Sequence, residues 1–168
     1  MNAIDKINKL SQSEFLEIFA NVFEKTKWIA EKLYKQIPFD SFEDLCLKML
    51  KIFERANKED KLKILKAHPD LANKIKINLL TSNSRTEQIN VGLDNCTEKE
   101  FNEFKNLNNK YKKKFGFPFI IAVKGKKKVE ILNEFKKRIV KNVDDEFNEA
   151  TIQVNKIANL RLNEINIK

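Results

Sequence analysis

The apolar positions of this chain recur mostly every three or four residues, the spacing that gathers them on one side of an α-helix. Phe15, Ile18, Phe19, Val22 and Phe23 form one such stripe, which Trp28, Ile29 and Leu33 continue. Phe42, Leu45, Met49, Ile52 and Phe53 form a second. Ser11 with Glu14, Ser41 with Asp44 and Thr97 with Glu100 have the spacing in which a hydroxyl caps an exposed amide while a carboxylate reaches back, so each pair predicts a helix start. Three glycines and three prolines in 168 residues leave few breaks. The pattern predicts an all-α, multi-helix bundle of about seven helices, with short ones at the breaks. No repeat, low-complexity stretch or domain boundary stands out, and the length suits one domain over 1–168.

Two stops are informative. A short helix over 57–66 ends at His68-Pro69, because the proline ring disfavours the α region for the residue before it. A long helix over 97–114 ends at Gly116, a usual residue just past a helix C-terminus. Directly after it, Phe117 to Val123 is apolar, aromatic and β-branched, and too short and proline-broken for a helix. Each amide of a buried extended segment still needs a partner. It is either a buried linker or a stretch whose hydrogen bonds a bound ligand helps to complete. Two more helices are expected over 129–140 and 144–165, the last with Ile152, Ile157, Leu160 and Leu162 inward.

No apolar run approaches the roughly 20 residues of a spanning helix, and the N-terminal pattern lacks the apolar stretch of a signal peptide, so a cytoplasmic protein without membrane association is expected. Cys46 and Cys96 have neither paired spacing nor further ligands around them, which suggests neither a disulfide scaffold nor a zinc site. Both are expected to be reduced, inert and partly buried. The net charge of +9 brings a nucleic-acid partner into view, with lysines densest at 110, 112, 113 and 114 and again at 124, 126, 127 and 128. Lysine is spread through the whole chain, however, and the runs lack interleaved exposed aromatics and glycines. A solvated lysine face is the favoured reading, with no nucleic-acid partner.

His68 is the one histidine and the one side chain that titrates near neutral pH unaided. At a helix end it serves either proton chemistry or the unsatisfied carbonyls there. Glu87 lies in Ser84-Arg85-Thr86-Glu87-Gln88, a capping box whose helix N-terminus also offers amides to an anion. Arg161 sits on an otherwise core-facing stretch. Snorkelling to the surface is the favoured reading for it, a forked donor aimed into a cleft the alternative. There is no Walker loop, no dinucleotide fingerprint, no cysteine-histidine pair and no metal-ligand cluster.

Taken together, His68-Pro69-Asp70-Leu71, Thr81, Ser84 to Gln88, Gly92-Leu93, Leu107-Asn108, Tyr111, Lys114 to Ile120, and Ile157-Ala158 with Leu160-Arg161-Leu162 resemble the 2-oxo-4-hydroxy-4-carboxy-5-ureidoimidazoline (OHCU) decarboxylases of uric acid degradation. Phe15, Phe23-Glu24, Trp28 to Glu31 and Pro38-Phe39 extend the likeness over nearly the whole chain. The resemblance implies an all-α fold and cofactor-free decarboxylation of OHCU to (S)-allantoin, with the family's catalytic residues falling on His68, Glu87 and Arg161. It further implies a substrate lined by Pro69, Ser84, Arg85, Thr86, Gln88 and the backbone of Phe119, Ile120, Ile121, Ala122 and Val123, no metal, and a possible homodimer. Ile37 replaces the family's usual arginine, and Asn73 a frequent glycine. The final Asn166-Ile167-Lys168 differs from the peroxisomal tripeptide of many eukaryotic members, which fits the cytoplasm. A helical enzyme for a different ureido acid and a basic nucleic-acid-binding module remain the competing readings.

Overall fold

The structure, a computed structural model, describes residues 2–71 and 97–165. Among these residues it is all-helical: α1 (Ala3–Ile7), α2 (Gln12–Phe19), α3 (Lys27–Tyr34), α4 (Phe42–Glu54), α5 (Lys58–Ala67), α6 (Glu98–Phe115), α7 (Lys128–Arg138) and α8 (Val143–Glu164). They form two compact units, one of residues 1–64 with 155–168 and one of residues 65–154.

In the first unit the expected caps set the helix starts. Ser11 accepts the Glu14 amide while Glu14 accepts the Ser11 amide, closing a capping box. Ser41 accepts the Asp44 amide, but the Asp44 carboxylate reaches back to the amide of Asp40 rather than to the cap residue. The first stripe is broken: α2 stops at Phe19, and Val22 and Phe23 are buried from a turn instead of a helix. Phe15 lies against Phe19, Tyr34 and Phe39, with centroids at 4.5, 5.4 and 6.2 Å, and Phe23 meets Phe53 at 5.1 Å. α2 packs on α3 and α3 on α4. The side chain of Asn8 pairs both ways with the Phe39 main chain at 2.9 Å, fixing the end of α1 to the loop before α4.

The second unit is organised by aromatic residues. Thr97 caps α6, and Gly116 ends it with φ +80°, the left-handed conformation that glycine adopts without a Cβ clash. Tyr111 is fully buried against Phe115, Phe117, Phe119 and Phe135, and Phe119 stacks on Phe135 at 3.9 Å. α6 packs on α7. Residues 118–123 are non-helical and, from Phe119 to Val123, buried. Along α8 one expectation fails. Ile152 is 49% exposed, whereas Gln153 and Val154 are buried, so the polar Gln153 takes an inward position.

Candidate functional site

His68 follows the last residue of α5 and is half-buried, its backbone amide bonded to the Leu65 carbonyl at 3.3 Å. Pro69 and Asp70 share that partial exposure, and Leu71 is buried. The turn is held by an ion pair, since Lys112 of α6 lies 3.3 Å from the Asp70 carboxylate. The histidine is thus displayed at a helix end, as the proline demands, on a loop pinned on both sides. Glu87 and the rest of the binding stretch, Ser84, Arg85, Thr86 and Gln88, lie outside the described residues, as do Thr81, Gly92, Leu93, Asn73 and Cys96.

The extended segment meets part of its hydrogen-bond requirement from within the protein. Side chains of the protein already serve three of its main-chain groups. The Phe119 amide donates to Asn108 at 3.4 Å, the Ala122 amide to Gln153 at 2.9 Å, and the Ile120 carbonyl accepts from Arg138 at 2.7 Å. The Val123 carbonyl accepts from the Lys126 amide. Among the described residues the N–H and C=O of Ile121, buried between those clamps, have no hydrogen-bond partner. Among the described residues the Phe119 and Ala122 carbonyls and the Ile120 and Val123 amides likewise have no partner, so the groups left for a ligand run along the whole segment.

Arg161 is not a snorkelling residue: it is 3% exposed. Its Nη1 donates to the Val22 carbonyl at 3.1 Å and the Asn21 carbonyl at 3.4 Å, and lies 3.3 Å from a carboxylate oxygen of Glu24, itself 3% exposed. A long side chain that starts on a core-facing stretch needs buried partners to stay there, and the turn after α2 supplies them. That turn is built by Lys25 in a left-handed conformation at φ +50° and by the Thr26 hydroxyl, which donates to the Glu24 carbonyl at 2.8 Å. Glu24 is the partner that the residue pattern did not reveal. It follows Phe23 and opens the polar stretch Glu24-Lys25-Thr26-Lys27, where a carboxylate reads as a solvated position.

A second buried charge cluster was equally illegible. Arg138 and Glu146 are 2% and 0% exposed, and the Tyr111 hydroxyl donates to the same Glu146 carboxylate. Burial first, and the bond to Glu146 second, push the Tyr111 hydroxyl far above its ordinary pKa, so it stays a donor. Several lysines of the two dense runs are already engaged: Lys112 with Asp70, Lys128 with Glu100, and Lys114 with the carbonyls of Ile139 and Lys141. Among the described residues no group of three or more His, Cys, Asp or Glu side chains is placed to hold a metal ion, and no helix is long and apolar enough to cross a membrane.

Fold and residues together define a small all-α protein with a displayed histidine, a buried and anchored arginine and a clamped extended segment. The OHCU decarboxylase family matches residues 8–163, and the chain belongs to that family. Relatives include the 2-oxo-4-hydroxy-4-carboxy-5-ureidoimidazoline decarboxylase of Haloferax volcanii, 33% identical over 96% of this chain and 94% of its own length. The uric acid degradation bifunctional protein of Bacillus sp. (strain TB-90) is 41% identical over 98% of this chain. The chain spans about a third of the length of that relative, 32%. Among solved structures, an (S)-allantoin synthase aligns with a TM-score of 0.74 at 28% identity, covering 95% of this chain and 52% of that one. An OHCU decarboxylase crystallised in the presence of (S)-allantoin aligns with a TM-score of 0.65 at 26% identity, covering 80% of this chain and 87% of that one.

Proposed function

We propose that this protein decarboxylates OHCU to (S)-allantoin without a cofactor, with His68, Glu87 and Arg161 as its catalytic residues. The observation that carries this reading is the family match over 8–163, within which the one histidine of the chain follows the end of α5. The names of the Haloferax relative and of the structure crystallised with (S)-allantoin support the same substrate and product.

Breaking the bond between C4 and its carboxylate releases carbon dioxide and leaves an electron pair beside a hydroxyl. The adjoining C=N of the ring accepts that pair, so the substrate is its own electron sink. The ring nitrogen that took the pair gains a proton, a second proton is added to one face of the carbon bearing the ureido group, and the hydroxyl loses its proton to become the product carbonyl. His68 is the general acid and base of these transfers. Glu87 holds the imidazole or a substrate nitrogen in register. Arg161, kept in one orientation by Glu24 and two carbonyls, favours the developing negative charge. Pro69, residues 84–88 and the backbone of 119–123 bind the ring and ureido group. We place the protein in the cytoplasm, in keeping with its two unpaired-spacing cysteines, and expect it to act as a homodimer.

OHCU decays unaided to racemic allantoin, which makes chirality the test. With OHCU generated in place from urate by the two enzymes upstream, circular dichroism is expected to show (S)-allantoin forming faster than the spontaneous decay. Racemic product at the spontaneous rate means that the substrate is another ureido acid.

A further inference from the structure

Three helices of the second unit each send one buried polar side chain to the main chain of residues 119–122. Asn108 on α6, Arg138 at the end of α7 and Gln153 on α8 are 4%, 2% and 8% exposed, and they hold the Phe119 amide, the Ile120 carbonyl and the Ala122 amide in turn. The main chain on both sides of Ile121 is thereby fixed from three directions.

The geometry of the buried ion pair shows what it is arranged to do. An arginine and a carboxylate that meet for their own sake do so fork to fork, two N–H groups on two oxygens. Here Arg138 Nε, Arg138 Nη2 and the Tyr111 hydroxyl all converge on one Glu146 oxygen, while the second oxygen is buried with no partner among the described residues. Nη1 is thereby turned to the Ile120 carbonyl, and the guanidinium carbon sits 4.4 Å from the centroid of the Phe119 ring. A buried ion pair brings little net stability over an apolar pair of similar volume, but it fixes an orientation. Gln153 is oriented in the same way, its amide nitrogen donating to Glu149 at 2.8 Å so that its oxygen faces Ala122.

We propose that Asn108, Arg138 and Gln153 are positioning residues that hold the 119–122 backbone in the register needed to bind the ring and ureido groups of the substrate. The inference rests on the reading of that segment as substrate-binding. The three side chains act through the backbone, with Glu146 and Tyr111 orienting Arg138.

The test compares wild type with Gln153→Leu and with the double variant Arg138→Met/Glu146→Gln, which removes the clamp on Ile120 without leaving a buried carboxylate uncompensated. Two quantities are read: KM and kcat for OHCU by circular dichroism, and the affinity for (S)-allantoin by calorimetry, alongside thermal unfolding. Both variants are expected to unfold cooperatively, with KM raised and (S)-allantoin affinity weakened by about tenfold or more and kcat changed less. Unchanged KM and affinity in folded variants overturn the proposal alone. Loss of cooperative unfolding in both variants makes the clamps supports of the fold and overturns it too. A wild-type protein that does not accelerate (S)-allantoin formation removes the functional reading, and the positioning role falls with it.

Discussion

At the scale of single residues, burial decides what each charged or reactive side chain can do. Arg161 and Glu24 are both removed from water, so neither is expendable independently. Arg161→Ala removes a buried ion-pair partner of the Glu24 carboxylate and is expected to cost about 3–5 kcal/mol of stability. Arg161→Lys keeps the charge but loses the planar guanidinium whose Nη1 reaches Glu24 and two carbonyls together. It is expected to stay folded while kcat/KM falls by about ten- to a hundredfold, which thermal unfolding beside the chiral assay will check. Wild-type turnover in Arg161→Lys would contradict a directional role for the guanidinium. Cys46 offers a simpler case. Burial pushes its thiol up to about 11, so at pH 8 almost none is thiolate. Mass spectrometry after iodoacetamide treatment should find Cys46 unlabelled in the folded protein and labelled after denaturation; rapid labelling of the native state would refute its inertness.

At the scale of elements, the helix starts were legible because capping is local chemistry. Ser11, Ser41 and Thr97 all cap where their spacing predicts, and Gly116 ends α6 in the left-handed conformation. Ser41→Ala should therefore cost about 1 kcal/mol, measured by denaturant unfolding; a loss near zero would mean that α4 does not depend on its cap. The capping carboxylates carry a pH signature. The Ser11 hydroxyl holds Glu14 below its ordinary 4.5, and bonds from Lys128 and then Thr97 do the same for Glu100. A depressed folded pKa contributes stability above the unfolded value of 4.5 that disappears as pH falls through the folded one. Glu14→Gln/Glu100→Gln should melt below wild type at pH 7 and converge with it as pH falls below 4.5 through the depressed pKa values; a constant gap would place the effect elsewhere. What local chemistry missed was long-range. Periodicity carried the first stripe straight through Phe23, but the chain turns after α2 to bring Glu24 to Arg161, and Ile152 gave its inward place to Gln153 because Ala122 needs an acceptor.

At the scale of the whole molecule, fold class and family were readable because they are spread over many positions, from Phe15 to Leu162, each contributing a little. The site was readable only in part. His68 announced itself by being alone and by preceding a proline. Arg161 did not, since an arginine on a core-facing stretch looks the same whether its partners are water or Glu24. Nor did Arg138 and Glu146, which come from helices rich in exposed lysine and glutamate and give no sign in the sequence that both are buried. The extended segment read either as a buried linker or as a stretch that a ligand helps to complete, and three helices of the protein supply three of its main-chain hydrogen bonds.

Everything proposed about the chemistry passes through His68. The most direct measurement is the initial rate of (S)-allantoin formation, followed by circular dichroism at matched concentrations of wild type and His68→Ala, with the far-ultraviolet spectrum confirming that both are folded. The predicted result is a helical variant whose chiral signal has dropped by about a hundredfold or more toward spontaneous, racemic decay. A folded His68→Ala protein that makes (S)-allantoin at the wild-type rate would contradict it.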